Sequence, residues 1–253
     1  MRAFRPSSYP AIRLKGPTLQ GKVAVITGAS RGIGQAIGWE LARAGARVVL
    51  TGRDEQLIGE LAGRMRRDGF DALAVPLDVR DEASVRAAFD RVGQDYGRLD
   101  FLVNNAGIAH KLSPVQDLDP GTWREVIETN LSGLFLCTRY ALPRMPDGAS
   151  IVNNLSVAAQ GMWPGHAGYN ASKWGGLGLT NTLREELRPR RIRVIALLPG
   201  PTDTAIWEQF MPERTRSKMM APETIARAIV DCLALPENAV VEEIRIRPVT
   251  GAI

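Results

Sequence analysis

The sequence holds only two cysteines, Cys137 and Cys232, far apart and outside any CxxC pair. That excludes a disulfide framework and a cysteine zinc site, and it points to a reducing, cytoplasmic compartment. Histidine is as scarce: His110 and His166 show no HExxH spacing, so no metal site is expected. No apolar run approaches the roughly 18 residues of a membrane span, so no membrane partner is expected. Acidic residues are missing from the first twenty positions, where Arg2, Arg5, Arg13 and Lys15 carry four of the five net positive charges. A near-neutral body behind a basic tail is not a nucleic-acid footprint. The tail has no apolar segment of the secretory kind, and Pro6, Pro10 and Pro17 interrupt the amphipathic helix of a transit peptide. Residues 1–20 are therefore read as a basic extension, and 21–253 as one domain. Hydrophobic residues at 45% and charged residues at 23% fit a globular fold with a sizeable core.

Short apolar runs alternate with helical patterns along the whole chain. Strands are expected at Val23–Thr27, Arg47–Thr51, Ala72–Pro76, Leu99–Val103, Ser150–Leu155, Ile192–Leu198 and Ile244–Arg247. Helices are expected at Ile33–Ala44, Asp54–Arg67, Ala83–Tyr96, Thr122–Met145 (one long helix), His166–Leu187 and Pro222–Leu235. Strands apolar on both faces and separated by helices imply a parallel sheet covered on both sides. Right-handed crossovers then give a single doubly wound, Rossmann-like α/β domain with a mostly parallel seven-stranded sheet. In such folds ligands bind at the carboxyl ends of the strands, which selects the loops that matter.

The first strand runs into Gly28-Ala29-Ser30-Arg31-Gly32-Ile33-Gly34. Gly28 permits a tight turn, and Gly32 and Gly34 let backbone approach a pyrophosphate at a helix N-terminus. Taken alone, the segment also reads as an ordinary glycine-rich turn. The second strand ends in Thr51-Gly52-Arg53, with no carboxylate for a ribose 2′-hydroxyl. Arg53 and Arg31 can flank a 2′-phosphate instead, which favours NADP(H) over NAD(H). Asp54 is read as the N-cap of the next helix. Asp78-Val79 follows the third strand. Asn104-Asn105-Ala106-Gly107 follows the fourth, where the asparagines bond backbone between strands or fix the adenosine half of a nucleotide.

The most specific pattern is Tyr169-Asn170-Ala171-Ser172-Lys173, with Ser156 thirteen residues before the tyrosine. Tyr169 and Lys173 stand four apart on one helix face. A free phenol, with a pKa near 10, is a poor base at neutral pH. A lysine ammonium beside it is expected to lower that value. Ser156, at a strand end, can hydrogen-bond a substrate oxygen.

Together these residues resemble the short-chain dehydrogenase/reductase family from about Gly21 to Arg247. The match rests on Thr27–Gly34, Asp78-Val79, Asn104–Gly107, Asn130, Ser156, Tyr169, Lys173 and Pro199-Gly200. The resemblance implies an oxidoreductase that interconverts a ketone or aldehyde and an alcohol, with a catalytic tetrad of Asn130, Ser156, Tyr169 and Lys173. It implies that Asn130 holds a water linking Lys173 to solvent, and that Lys173 also binds the nicotinamide ribose. It implies further that Pro199, Gly200 and Thr202 border the nicotinamide and that Thr204 reaches its carboxamide or the pyrophosphate. The family usually has Val or Ile where Thr202 stands, and a common apolar-Ser-Ser pattern is replaced here by Asn154-Leu155-Ser156. The C-terminal Glu242–Pro248 segment looks more like members acting on hydroxy acids or assorted carbonyls than like 3-oxoacyl thioester reductases. The alternative reading is a non-catalytic dinucleotide sensor, against which the intact tetrad argues.

Asp203–Met220 reads as a substrate flap, an amphipathic surface helix or part of a subunit contact; Trp163 can meet this flap, and Trp163 and Trp207 are read as substrate contacts. His110 and His166 are read as surface or rim residues. Apolar residues on the helices around Leu134–Leu136 and Trp174–Leu179 point to a homo-oligomer, a tetramer or a dimer.

Overall fold

The computed structural model describes residues 18–205, 216 and 218–251. The basic arm and the middle of the flap, with Trp207, lie outside the described residues. The sheet holds β1 (Val23–Ile26), β2 (Arg47–Gly52), β3 (Ala72–Pro76), β4 (Phe101–Asn104), β5 (Ser150–Asn154), β6 (Arg193–Pro199) and β7 (Glu243–Ile246). Its order is β3-β2-β1-β4-β5-β6-β7. Every pairing is parallel, with Val25 opposite Val49 on one side and Leu102 on the other. The order reverses between β1 and β4, and the carboxyl ends of those strands open the crevice where a doubly wound sheet binds ligands.

Strand alternation divides the core. Ala24 and Ile26 of β1 face α1 (Gly32–Arg43), α2 (Glu55–Arg67) and α7 (Pro222–Leu233), packing with Ile37, Leu41, Leu61, Met65 and Ile229. Val23 and Val25 face α3 (Glu82–Tyr96), α5 (Gly133–Ala141) and α6 (Ala167–Leu187), packing with Phe89, Cys137 and Leu183. Leu19 is buried in the first of these layers, and its N–H bonds the Ala44 carbonyl.

Local chemistry sets the helix ends. Asp54 accepts from Leu57 N at 3.0 Å and caps α2, and Asp81 accepts from Ala83 N and caps α3. Gly97, at φ +72°, ends α3 in the left-handed conformation. Arg193 reaches from β6 to the Leu233 and Leu235 carbonyls, satisfying the open C-terminus of α7.

The expected long helix over 122–145 is present, unbroken over 120–144, but it widens in the middle. Asp119 caps α4 (Pro120–Ile127), a π-helical turn spans Glu128–Ser132, and α5 follows without a gap. Tertiary contacts accompany the wider turn. The Asn130 amide turns inward to bond Ile108, and Gly133 packs so closely on Val79 that a Cβ there would fall 2.7 Å from it. A short 3₁₀ turn, Leu142–Arg144, containing Pro143, ends the segment. Among the described residues no helix is long and apolar enough to cross a membrane, and no group of three or more metal-binding side chains gathers.

Candidate active site

A cleft of about 490 Å³ opens over the carboxyl ends of the strands. One end of it is framed by the β1–α1 turn and the end of β2. Gly28 and Gly32 both adopt positive φ, at +64° and +57°. A Cβ on Gly28 would lie 2.8 Å from Ala106 Cα, so only glycine fits that turn. Ser30, Arg31, Gly32, Ile33, Arg53, Asp78, Val79, Ala106 and Gly107 all line the cleft. The first turn of α1 carries no acid and no side-chain cap, which leaves its N–H groups to an anion.

Gly34 stands one layer back. A Cβ on it would fall 2.4 Å from both the Asn105 amide and the Gly28 carbonyl, so it serves close packing of α1 on the turn. Asn105 borders the cleft, but its side chain is committed to protein. Nδ2 donates to the Thr27 and Gly28 carbonyls, and Oδ1 accepts from Asn154. Asn104 points inward to Asn153 and Thr138. Of the two sequence-based readings for this pair, bonding between strands is the one realised.

At the other end β5, α6 and β6 bring Ser156, Tyr169, Lys173, Pro199, Gly200, Thr202 and Thr204 to one wall. Ser156 follows β5 with extended backbone, and its Oγ accepts from Ala158 N at 3.0 Å. Thr202 is buried and donates to the Gly200 carbonyl, while Thr204 packs on Gly32. Lys173 is buried, and its Nζ donates to the Asn154 carbonyl at 3.0 Å and lies 5.5 Å from the centre of the Tyr169 ring. Burial pulls the Lys173 ammonium down to about 8.

The Tyr169 phenol departs from expectation in the free protein. Burial pushes it above its ordinary value, and the Ser156 hydrogen bond opposes that push. Lys173, whose own ammonium burial lowers to about 8, does not reverse the shift.

Asn130 does not line the cleft. Its Oδ1 accepts from Ile108 N, and its Nδ2 donates to the Ile108 carbonyl and to Ser172 Oγ. It thereby ties the π-helical turn to the loop after β4 and to α6. Beside it lies a void of about 10 Å³ bordered by Asn104 and Asn154, whose Oδ1 atoms have no partner among the described residues. A void of that size with two polar acceptors fits one water.

The structure adds residues that sequence reasoning passed over. Asn154 joins the glycine turn, through Asn105, to Lys173; the only sequence signal was its departure from the usual pattern before the serine. Arg80 clamps the Asp78 carboxylate at 2.7 Å and holds it well below the usual carboxylate range. Asn170 lines the cleft beside Tyr169 and Trp163, and His166, expected at the surface or rim, lines it too. His110, expected at the surface or rim, is buried behind His166, with Nδ1 donating to the Lys111 carbonyl. The loop after β4 folds back against the start of α6 and covers it.

A family model described as short chain dehydrogenase matches residues 22–215. The chain is 39% identical over 225 residues to cis-4-hydroxycyclohexanecarboxylate dehydrogenase of Sinomonas cyclohexanicum, covering 88% of each chain. It superposes with a TM-score of 0.85 on an alcohol dehydrogenase of the archaeon Thermococcus sibiricus complexed with 5-hydroxy-NADP, at 31% identity over 91% of this chain and 97% of that one. The 3-ketoacyl-(acyl-carrier-protein) reductase of Brucella melitensis, complexed with NADH, gives 0.84 at 32% identity, covering 92% and 99%. A glycine turn at the sheet's switch point, a serine at the end of β5 and a tyrosine–lysine pair on α6 therefore stand in a chain that belongs to the short-chain dehydrogenase family of nicotinamide-dependent oxidoreductases.

Proposed function

We propose that the protein is an NADP(H)-dependent oxidoreductase that interconverts a small hydroxy acid and the corresponding keto acid. The observation that carries the reaction is the convergence of Ser156, Tyr169 and Lys173 on the end of the cleft remote from the Arg31 and Arg53 side chains. When bound, the nicotinamide supplies or accepts the hydride at the carbon bearing the substrate oxygen. The chain's own residues do the rest. Ser156 hydrogen-bonds and polarises the substrate oxygen. Tyr169 gives the proton to that oxygen in reduction and takes it in oxidation. Lys173 holds positive charge beside the phenol and reaches the ribose. Asn130 fixes the π-helical turn next to a water-sized void, which supports the reading that a water there links Lys173 to solvent.

The preference for the 2′-phosphate rests on the charges at the adenine end. Arg31 and Arg53 are exposed and line the cleft. Both nearby carboxylates are already engaged, Asp54 as the cap of α2 and Asp78 by Arg80. That leaves Arg31 and Arg53 as the unpaired charges facing the cleft there among the described residues, which favours a 2′-phosphate over a bare ribose 2′-hydroxyl. The hydroxy-acid class is supported by the relative named for a hydroxycyclohexanecarboxylate and by the C-terminal segment.

The test is turnover of a panel of hydroxy acids and simple alcohols with NADP⁺ and with NAD⁺. The reading predicts oxidation of at least one hydroxy acid, faster with NADP⁺. Cofactor binding with no turnover of any substrate overturns the enzymatic reading, and a preference for NAD⁺ overturns the cofactor reading.

A further inference from the structure

Apart from Ser156, Tyr169 and Lys173, the substrate end of the cleft is lined mostly by apolar or small residues, among them Ala109, Val157, Ala158 and Trp163. Asn170 and one imidazole, His166, interrupt them, and of the two only His166 can carry positive charge. It stands three residues before Tyr169, and the two rings lie 6.0 Å apart. No Lys or Arg other than Lys173 lines this end among the described residues.

The backbone of His166 is fixed on every side. Its N–H bonds the Trp163 carbonyl, and its own carbonyl accepts from Asn170 N at 2.8 Å. The Asn170 amide holds the same Trp163 carbonyl at 3.0 Å. Ser113 pairs with His166 across the loop after β4, and Ser113 N bonds the Gly165 carbonyl. The imidazole itself rests edge-on against the buried His110, 5.7 Å between ring centres. Among the described residues it makes no hydrogen bond: its buried Nδ1 has no partner there, and neither does Nε2 of His110 behind it. A rigidly mounted, half-buried imidazole with unused bonding capacity, set in an apolar wall, is built to meet a polar group that the substrate brings.

We propose that His166, backed by His110, is the substrate-recognition group of this enzyme and binds a carboxylate set several bonds from the reacting carbon. The proposal deepens the hydroxy-acid reading and rests on it. The 6.0 Å spacing to Tyr169 separates the carboxylate from the oxygen that Tyr169 serves, and the apolar wall between them suits a hydrocarbon ring or chain. Burial and the neighbouring His110 hold His166 below its ordinary pKa, so it is neutral in the free protein. A carboxylate seated on it favours the imidazolium, which makes the bond charge-assisted and sets an acid apart from an uncharged alcohol. The titratable neighbours are His110 and Lys111 on the loop after β4 and Tyr169 and Lys173 on α6. The loop after β5 brings none.

The experiment measures kcat/KM for cis-4-hydroxycyclohexanecarboxylate and for cyclohexanol with NADP⁺, in the wild-type chain and in His166→Phe and His166→Gln. The wild type is expected to prefer the acid. In His166→Phe the ratio of acid to alcohol should fall by about tenfold or more, with the loss in KM, because a bond to a charged group contributes about 1.5–3 kcal/mol. His166→Gln, which keeps a donor but cannot take a charge, should recover part of it. A ratio unchanged in both variants overturns the role of His166 and leaves the hydroxy-acid reading standing. A wild type that ignores the acid while oxidising cyclohexanol overturns the hydroxy-acid reading, and the proposal with it.

Discussion

Lys173 is held where its charge is costly. The residue is 6% exposed, its ammonium donates to one carbonyl, and burial lowers its pKa from 10.5 to about 8. A lowered pKa in a base means that folding disfavours its charged form. The penalty is complete below about pH 8, shrinks between pH 8 and 10.5 as the folded lysine gives up its proton first, and is gone above that. At 1.36 kcal/mol per unit the full penalty is of order 3 kcal/mol. Lys173→Met, similar in length and uncharged, should therefore stabilise the cofactor-free protein at pH 7. The expected gain is about 1–3 kcal/mol in urea unfolding, after subtracting about 1 kcal/mol for the lost bond to Asn154. The same substitution should abolish most turnover. A variant less stable than wild type at pH 7 shows instead that the hydrogen bond outweighs desolvation. On the proposed function, the lysine charge serves the chemistry at the expense of stability.

At the level of elements, the β2–α2 junction divides its charges by function. Asp54 is consumed in starting α2, while Arg53 beside it remains exposed on the cleft. Arg53→Ala should raise the Michaelis constant for NADPH by roughly tenfold or more, as expected for loss of a charge-assisted contact, and should barely move that for NADH. Equal losses with both cofactors would falsify the 2′-phosphate assignment. The role of Asp54 was legible in the sequence because capping is local chemistry, and so was the alternation of strands and helices, because parallel strands buried on both faces read as unbroken apolar runs. The π-helical turn at Glu128–Ser132 was not legible. The apolar spacing of Ile127, Leu131 and Leu134 continues straight through it, and the contacts that accompany it, Val79 against Gly133 and Ile108 against Asn130, lie 20 to 55 positions away in the chain. The burial of His110 escaped for the same reason, since it depends on the loop after β4 folding onto α6. The Tyr169–Lys173 pair was legible from its spacing. The balance of charge between them was not, because it depends on burial.

At the scale of the whole molecule, α5 and α6 leave Phe135 and Trp174 nearly half exposed, and α4 leaves Trp123 exposed. Large exposed apolar side chains on these helices fit a surface that a second copy covers. We expect a homo-oligomer, a tetramer before a dimer, by light scattering at micromolar concentration, and Trp174→Asp should shift it toward smaller species. A monomeric wild type at that concentration contradicts this. The central claim, however, concerns a hydride and a proton meeting at one substrate oxygen and its carbon, and one comparison reaches it directly. Wild type and Tyr169→Phe are supplied with NADPH deuterated at the transferring position and a keto acid that the wild type reduces. The rate at which deuterium enters the product's carbinol carbon is then measured alongside NADPH affinity. The account predicts deuterium at that carbon in the wild type. It predicts a rate lower by roughly 10²–10⁴ in Tyr169→Phe, with NADPH affinity nearly unchanged, because a positioned acid acts in the transition state rather than on the bound cofactor. Near-normal transfer in Tyr169→Phe, or product without cofactor deuterium, contradicts it.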